Sequence, residues 1–160
     1  MMWTMKSTGA LRDQRESFLL DGGAPFYRTY ETSDGRYLAV GAIEPQFFAQ
    51  LLAGLGFLPD EVPGQFEMYR YDEMFAAFTE RFASKTRDEW TAIFADTDAC
   101  VAPVLSWSEA AADEHLLARR TLVDIDGVEQ AAAAPRSSRT PAGPPGAPPQ
   151  ETTFLADIDW

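Results

Sequence analysis

Two runs rich in aromatic and aliphatic residues, 26–32 and 36–43, flank the dipeptide Asp34-Gly35. Aspartate tolerates positive φ and glycine adopts it readily, so this pattern predicts a β-hairpin with a two-residue turn. With Asp34 and Gly35 at the turn, Ser33 faces Arg36 and Tyr27 lies opposite Ala42. Glu44 is then the diagonal neighbour of Tyr27 on the same face. Diagonal neighbours of an antiparallel pair stand roughly 7–8 Å apart, so the phenol and the carboxylate could share one pocket.

The stretch Val40, Gly41, Ala42, Ile43 reads as fully buried, which makes the acidic residue directly after it conspicuous. Pro45 follows Glu44, and proline suits the first helical position while holding the residue before it extended. Phe47, Phe48, Leu51, Leu52 and Leu55 then recur at helical spacing, and Gly54 and Gly56 weaken and stop the helix. Glu44 therefore sits at a helix N-terminus, where the dipole favours a charged hydrogen-bond acceptor.

Further helices are predicted over 71–82, with Tyr71, Met74, Phe75, Phe78 and Phe82 on one core stripe, and after the capping-box pattern Thr86-Arg87-Asp88-Glu89. Trp90, Ile93 and Phe94 point inward on the latter. Ser106 opens another helix running to about Ala118. A second hairpin is predicted over 122–132, turning at Asp126-Gly127. Residues 135–149 hold six of the eleven prolines and read as an extended linker. Met1, Met2, Trp3 and Met5 form an apolar cluster without a cap, and Phe154 to Trp160 closes the chain as a short segment. Patches of this kind usually mark association sites.

The organisation expected is α+β: a small domain of antiparallel hairpins packed with helices over 25–134. A helix remnant or linker over 1–24 and a proline-rich return segment over 135–160 flank it. Both flanks read as parts of a larger interlocked fold.

Of 160 residues, 46% are hydrophobic and 12% aromatic, enough for a core. A net charge of −12 argues against nucleic acid or an anionic membrane as partner. It also leaves an anionic cofactor dependent on locally clustered arginines. Cys100 is the sole cysteine, which excludes an internal disulfide and a metal-thiolate cluster. Its setting in Asp98-Ala99-Cys100-Val101-Ala102-Pro103-Val104 predicts a short buried strand, with the thiol a small core residue rather than a nucleophile. No run reaches transmembrane length and the N-terminus lacks signal-peptide features, so a cytoplasmic protein is expected.

The stretches LLDGGAPFYRTYETSDGRYLAVGAIEPQFF, KTRDEWTAIFADTDACVAPVLSWSEA and APRSSRTPAG resemble the family III CoA-transferases, and within them most closely the α-methylacyl-CoA racemases. The likeness spans nearly the whole chain and corresponds to about the C-terminal half of such enzymes. It implies a Rossmann-like large domain ahead of the matched region, carrying the catalytic histidine and aspartate and most CoA-binding residues. It implies also an interlocked dimer with the site between the large domain of one subunit and the small domain of the other. The glutamate of GAIEPQF and the tyrosine of GGAPFY lie at that site in the racemases, and they correspond to Glu44 and Tyr27. The reaction implied is proton exchange at the carbon α to a thioester carbonyl, on 2-methyl-branched acyl-CoA, without metal or redox cofactor. Glu44 would hydrogen-bond the catalytic histidine, while Tyr27 and Ile43 would line the substrate pocket. His115, the only histidine here, does not match that catalytic residue and reads as a solvated helix-end side chain.

Two alternatives stand beside this reading. A CoA-transferase would use an aspartate nucleophile, again outside this chain. A catalytically inactive fragment or accessory subunit would pair with a separately encoded large domain.

Overall fold

The first hairpin turns on three residues rather than two. In this computed structural model, which describes residues 1–9, 11–58 and 60–147, Thr32 N–H donates to the Arg36 carbonyl at 2.8 Å and Ser33, Asp34 and Gly35 form the loop. Gly35 alone takes positive φ, at 71°. The Asp34 carboxylate accepts from the Thr32 hydroxyl at 2.5 Å and from the Arg87 amide at 3.2 Å. Those bonds hold Asp34 out of the left-handed region that a two-residue turn would demand, leaving a turn closed by one left-handed residue.

Strand β1 (Tyr27–Glu31) consequently pairs with β2 (Tyr37–Gly41) with Tyr27 opposite Gly41, one position away from the predicted partner Ala42. A one-residue slip exchanges the two faces of a strand. Phe26, Tyr30, Leu38, Val40 and Ala42 face the core, all at most 5% exposed. Gly41 and Ile43 are only half-buried, so the fully buried run expected here is an alternating one. Strand β3 (Val101–Pro103) pairs antiparallel with the other side of β2, giving the order β1-β2-β3.

Three helices cover the core face. Helix α2 (Pro45–Leu55) follows the short N-terminal α1 (Met2–Ser7) and buries Phe48, Leu51 and Leu55. Gly56 caps it in the left-handed conformation, at φ 74°. Gly54 is no breaker. A Cβ there would come within 2.2 Å of Cε1 of Phe94, so the absent side chain is what lets α2 meet α4 (Arg87–Phe94). Helix α3 (Tyr71–Phe82) follows its predicted bounds and buries Met74, Phe78 and Phe82. Tyr30 stacks on Phe82 with ring centroids 4.8 Å apart, and its hydroxyl donates to the Pro25 carbonyl at 2.6 Å. Burial raises the Tyr30 pKa well above that of an ordinary phenol.

The capping box that opens α4 is present in full, the Thr86 hydroxyl accepting from Glu89 N–H and the Glu89 carboxylate accepting from Thr86 N–H. The buried stripe of α4 is Arg87, Trp90 and Phe94. Ile93 lies off it and is 39% exposed, contrary to the inward position expected. Arg87 donates to the Val104 carbonyl at 3.0 Å, tying the helix start to the end of β3.

The chain divides into two compact units, Met1–Val104 and Leu105–Trp160. In the second, the expected long helix is two: α5 (Trp107–Ala112) and α6 (Glu114–Ala118). Asp113 between them is extended, and its carboxylate accepts from Leu116 N–H at 2.9 Å, restarting the helix instead of continuing it. Strands β4 (Leu122–Ile125) and β5 (Val128–Ala131) form the predicted hairpin. Asp126 and Gly127 both have positive φ, 53° and 82°, so here the aspartate-glycine pair does make a two-residue turn. Met1, Met2 and Trp3 are exposed, whereas Phe154 and Trp160 lie outside the described residues. The α+β class expected from the sequence is the class observed. Among the described residues no helix is long and apolar enough to cross a membrane.

Two stability measurements follow from these contacts. Gly54→Ala should destabilise the chain by about 1–3 kcal/mol, because overpacking against Phe94 outweighs the helix-propensity gain of roughly 1 kcal/mol; urea unfolding reads the difference. The Thr32 hydroxyl and then the Arg87 amide hold the Asp34 pKa below its ordinary value. Such a carboxylate stabilises the fold above the unfolded-state pKa, and the contribution disappears as pH falls through the lower folded value. The stability lost in Asp34→Ala should therefore be full at pH 6 and shrink below about pH 4, as urea midpoints at several pH values would record.

Candidate active site

The sheet face turned away from the core carries small side chains. Ala39 and Gly41 of β2, Ala102 of β3, and Cys100 just before β3 floor a trough of about 560 Å³ with Tyr27 and Thr29 of β1. Each reaches this face by simple alternation, since Leu38, Val40 and Val101 take the opposite one. The Tyr27 ring lies across Gly41, with its Cε2 atom 3.9 Å from where a Cβ on that glycine would stand.

One rim of the trough is set by the Asp21-Gly22-Gly23 loop. The Asp21 carboxylate accepts from the amides of Phe18 at 2.9 Å, Gly23 at 3.1 Å and Ser17 at 3.2 Å. These bonds, Phe18's foremost, lower its pKa. The loop delivers Ala24, Pro25 and Phe26 into the core and Tyr27 onto the open face. Arg28 beside it lays its guanidinium over the Phe75 ring at 3.9 Å and pairs with Glu16 at 3.4 Å.

Glu44 occupies the N-cap position of α2 with extended backbone, φ −74° and ψ 140°. Its carbonyl accepts from the Phe47 and Phe48 amides, at 3.0 and 2.9 Å, and starts the helix. Its side chain is exposed and makes no capping hydrogen bond. Just ahead of it, Ile43 N–H donates to the Gly41 carbonyl at 3.0 Å, a tight bend at Ala42 that turns the strand toward the helix.

The two-residue turn and the Tyr27–Ala42 pairing that argued for one shared face of Tyr27 and Glu44 do not form. In the observed register Ile43, not Glu44, is the diagonal neighbour of Tyr27. Cys100 connects the two less directly. It lines the trough with Tyr27, and its thiol pKa is raised by partial desolvation first, then by the charges of Glu44 and Asp98. Tyr27, paired with Gly41, and Glu44, three residues further along, thus stand at the same end of the sheet. Cys100 is itself a correction: it is exposed at φ 54°, not a core residue of a buried strand.

A residue that no motif marked holds this junction. Gln65, 8% exposed, reaches back from the segment between α2 and α3. Its side-chain amide donates to the carbonyls of Ala42 at 3.1 Å and Ile43 at 2.7 Å. The only sequence signal was one amide side chain in the otherwise apolar run Val62-Pro63-Gly64-Gln65-Phe66. His115 lies in the second unit on α6 and is exposed, as its sequence context suggested. Among the described residues, no group of three or more His, Cys, Asp and Glu side chains is placed to hold a metal ion.

A small α+β unit with an open trough of small residues and an acidic strand-to-helix junction is the setting in which likeness to known proteins acquires meaning. The chain belongs to CoA-transferase family III, whose profile matches residues 1–152. It is 46% identical over 144 residues to the alpha-methylacyl-CoA racemase of Mus musculus and 42% identical over 144 residues to that of Homo sapiens. Each alignment covers 89% of this chain and 38% of the relative, so the chain spans well under half the length of the curated relatives it matches. A crystal structure of Rv3272 from Mycobacterium tuberculosis superposes with a TM-score of 0.63 over 74% of this chain and 34% of that one, at 15% identity, a likeness of fold.

The proximity of Glu44 to Cys100 is open to a direct check. A raised thiol pKa means less thiolate near neutral pH and slower alkylation. Glu44→Gln removes one of the charges responsible and should speed iodoacetamide labelling of Cys100 at pH 8, on the order of twofold. An unchanged rate would place Glu44 too far from the thiol.

Proposed function

We propose that this chain is the small-domain part of an acyl-CoA racemase-like protein. Completed by a large domain, it exchanges the α-proton of 2-methylacyl-CoA thioesters. The observation that carries the reading is the 42–46% identity to two alpha-methylacyl-CoA racemases across 89% of the chain. On this reading, residues 1–24 continue from the large domain and residues 135–160 return toward it.

The chemistry needs one base to take the α-proton, hydrogen bonds to stabilise the enolate, and an acid on the opposite face to return the proton. The family resemblance assigns those proton-transfer roles to a histidine and an aspartate of the large domain. Glu44 is suited to orient that histidine: it is an exposed carboxylate at a helix N-terminus whose acceptor capacity no capping bond uses. An orienting carboxylate fixes the tautomer of its partner and raises its basicity. Tyr27 and Ile43 border the thioester's acyl part. CoA enters as part of the substrate, and its phosphates fall to the large domain, because the 13 Lys and Arg here are scattered among 25 acids.

A second reading, CoA transfer, is favoured by 38% identity over 91 residues to a CaiB/baiF CoA-transferase family protein of Caenorhabditis elegans. The two differ in product: α-deuterium exchange with retention of CoA marks the first, and appearance of CoA on an added carboxylate marks the second.

The isolated chain lacks the histidine and aspartate that the family resemblance assigns to the large domain and should exchange no α-deuterium into a 2-methylacyl-CoA above the buffer rate. Addition of a matching large domain should produce exchange, which Glu44→Gln then reduces by about 10²-fold or less. Robust exchange by the chain alone, or full activity of the reconstituted Glu44→Gln variant, would overturn the assignment.

A further inference from the structure

The carbonyls of Ala42 and Ile43 lie between two hydrogen-bonded systems. The β1–β2 pairing ends where Ala42 N–H donates to the Phe26 carbonyl at 2.9 Å, and the first α2 bonds are accepted by the Glu44 carbonyl. Gln65 serves both intervening acceptors with one amide group, across more than twenty residues of sequence. Ala42 is fully buried, so its carbonyl has little access to water as an alternative partner. Gln65 is itself fixed: Val62 and Pro63 before it are buried, and the turn after it closes with Glu67 N–H donating to the Gly64 carbonyl at 3.0 Å. The Glu67 carboxylate accepts from Gly64 N–H at 3.3 Å and pairs with Arg70 at 3.1 Å, anchoring this turn to the start of α3.

We propose that Gln65 is a positioning residue for the site: by clamping the carbonyls of Ala42 and Ile43, it sets the direction in which Glu44 leaves the sheet. Two peptide planes held at successive carbonyls leave the backbone at Ile43 little rotational freedom. The Glu44 Cα–Cβ bond follows from that orientation and from the first turn of α2. The inference rests on the proposed role of Glu44 for its catalytic consequence, but the geometric part stands apart from any reaction. Gln65 touches neither substrate nor reacting atoms; its effect passes through Glu44.

Cys100 provides a reporter in the full 160-residue chain, with no partner needed. Partial desolvation and then the charges of Glu44 and Asp98 raise its thiol pKa. Asp98 is held separately, its N–H donating to the Gln50 side-chain carbonyl at 2.8 Å. Gln65→Met keeps length and burial and removes both donors. The pH profile of Cys100 alkylation in Gln65→Met should shift toward that of Glu44→Gln. The Glu44→Gln/Gln65→Met double variant should match Glu44→Gln alone, since a residue acting only through Glu44 has nothing left to act on. In the assembly with a large domain, Gln65→Met should lower kcat for α-deuterium exchange about tenfold or more, with KM little changed. A lowered Tm with a wild-type alkylation profile would make Gln65 a stability residue and overturn the proposal, as would additive effects in the double variant. A shifted profile with no exchange in any assembly would leave the positioning role intact and count against the racemase reading instead.

Discussion

The capture of the Asp34 carboxylate decides which side chains the first hairpin sends inward. Held by the Thr32 hydroxyl and the Arg87 amide, Asp34 avoids positive φ and the loop takes three residues. With that register Tyr30 meets Leu38 beneath the helices, and Tyr27 is left over Gly41 on the open face. A two-residue turn would exchange those positions and put a glycine where the aromatic core needs bulk. The same contact joins the hairpin to α4, whose Arg87 reaches the end of β3. One loop carboxylate therefore coordinates all three strands of the sheet with a helix distant in sequence.

Much of the local chemistry was legible, the Asp113 restart between α5 and α6 being an exception. The Thr86 capping box, the Pro45 and Ser106 helix starts, the aromatic stripe of α3 and the Asp126-Gly127 turn all depend on neighbours within a few residues, and each is found where the pattern places it. Other features that the sequence did not disclose came from contacts distant along the chain. The 53-residue reach between Asp34 and Arg87 changed a turn that looked identical to the one at Asp126. The α2–α4 approach turned Gly54 from an apparent helix breaker into a packing requirement. Gln65 carries no motif, and its importance emerges only when the strand end it serves lies beside it.

The site was read less completely than the fold. Glu44 sits at the helix start that Pro45 announced, while the register argument that joined it to Tyr27 failed by one residue. On the proposed reading, the exposed acceptor at that junction would serve a histidine of the large domain. A net charge of −12 makes the chain poorly suited to gather phosphates.

The pairing of β3 has a consequence for solubility. Gly41 N–H donates to the Cys100 carbonyl and Val104 N–H to the Tyr37 carbonyl, so residues of even number on this strand bond inward to β2. Val101 and Pro103 are left to face the sheet's outer edge. Proline has no amide hydrogen, so of those two positions only Val101 offers a donor to an incoming strand. The edge is thereby poorly templated for β-addition, a safeguard against strand-to-strand aggregation built from a single residue.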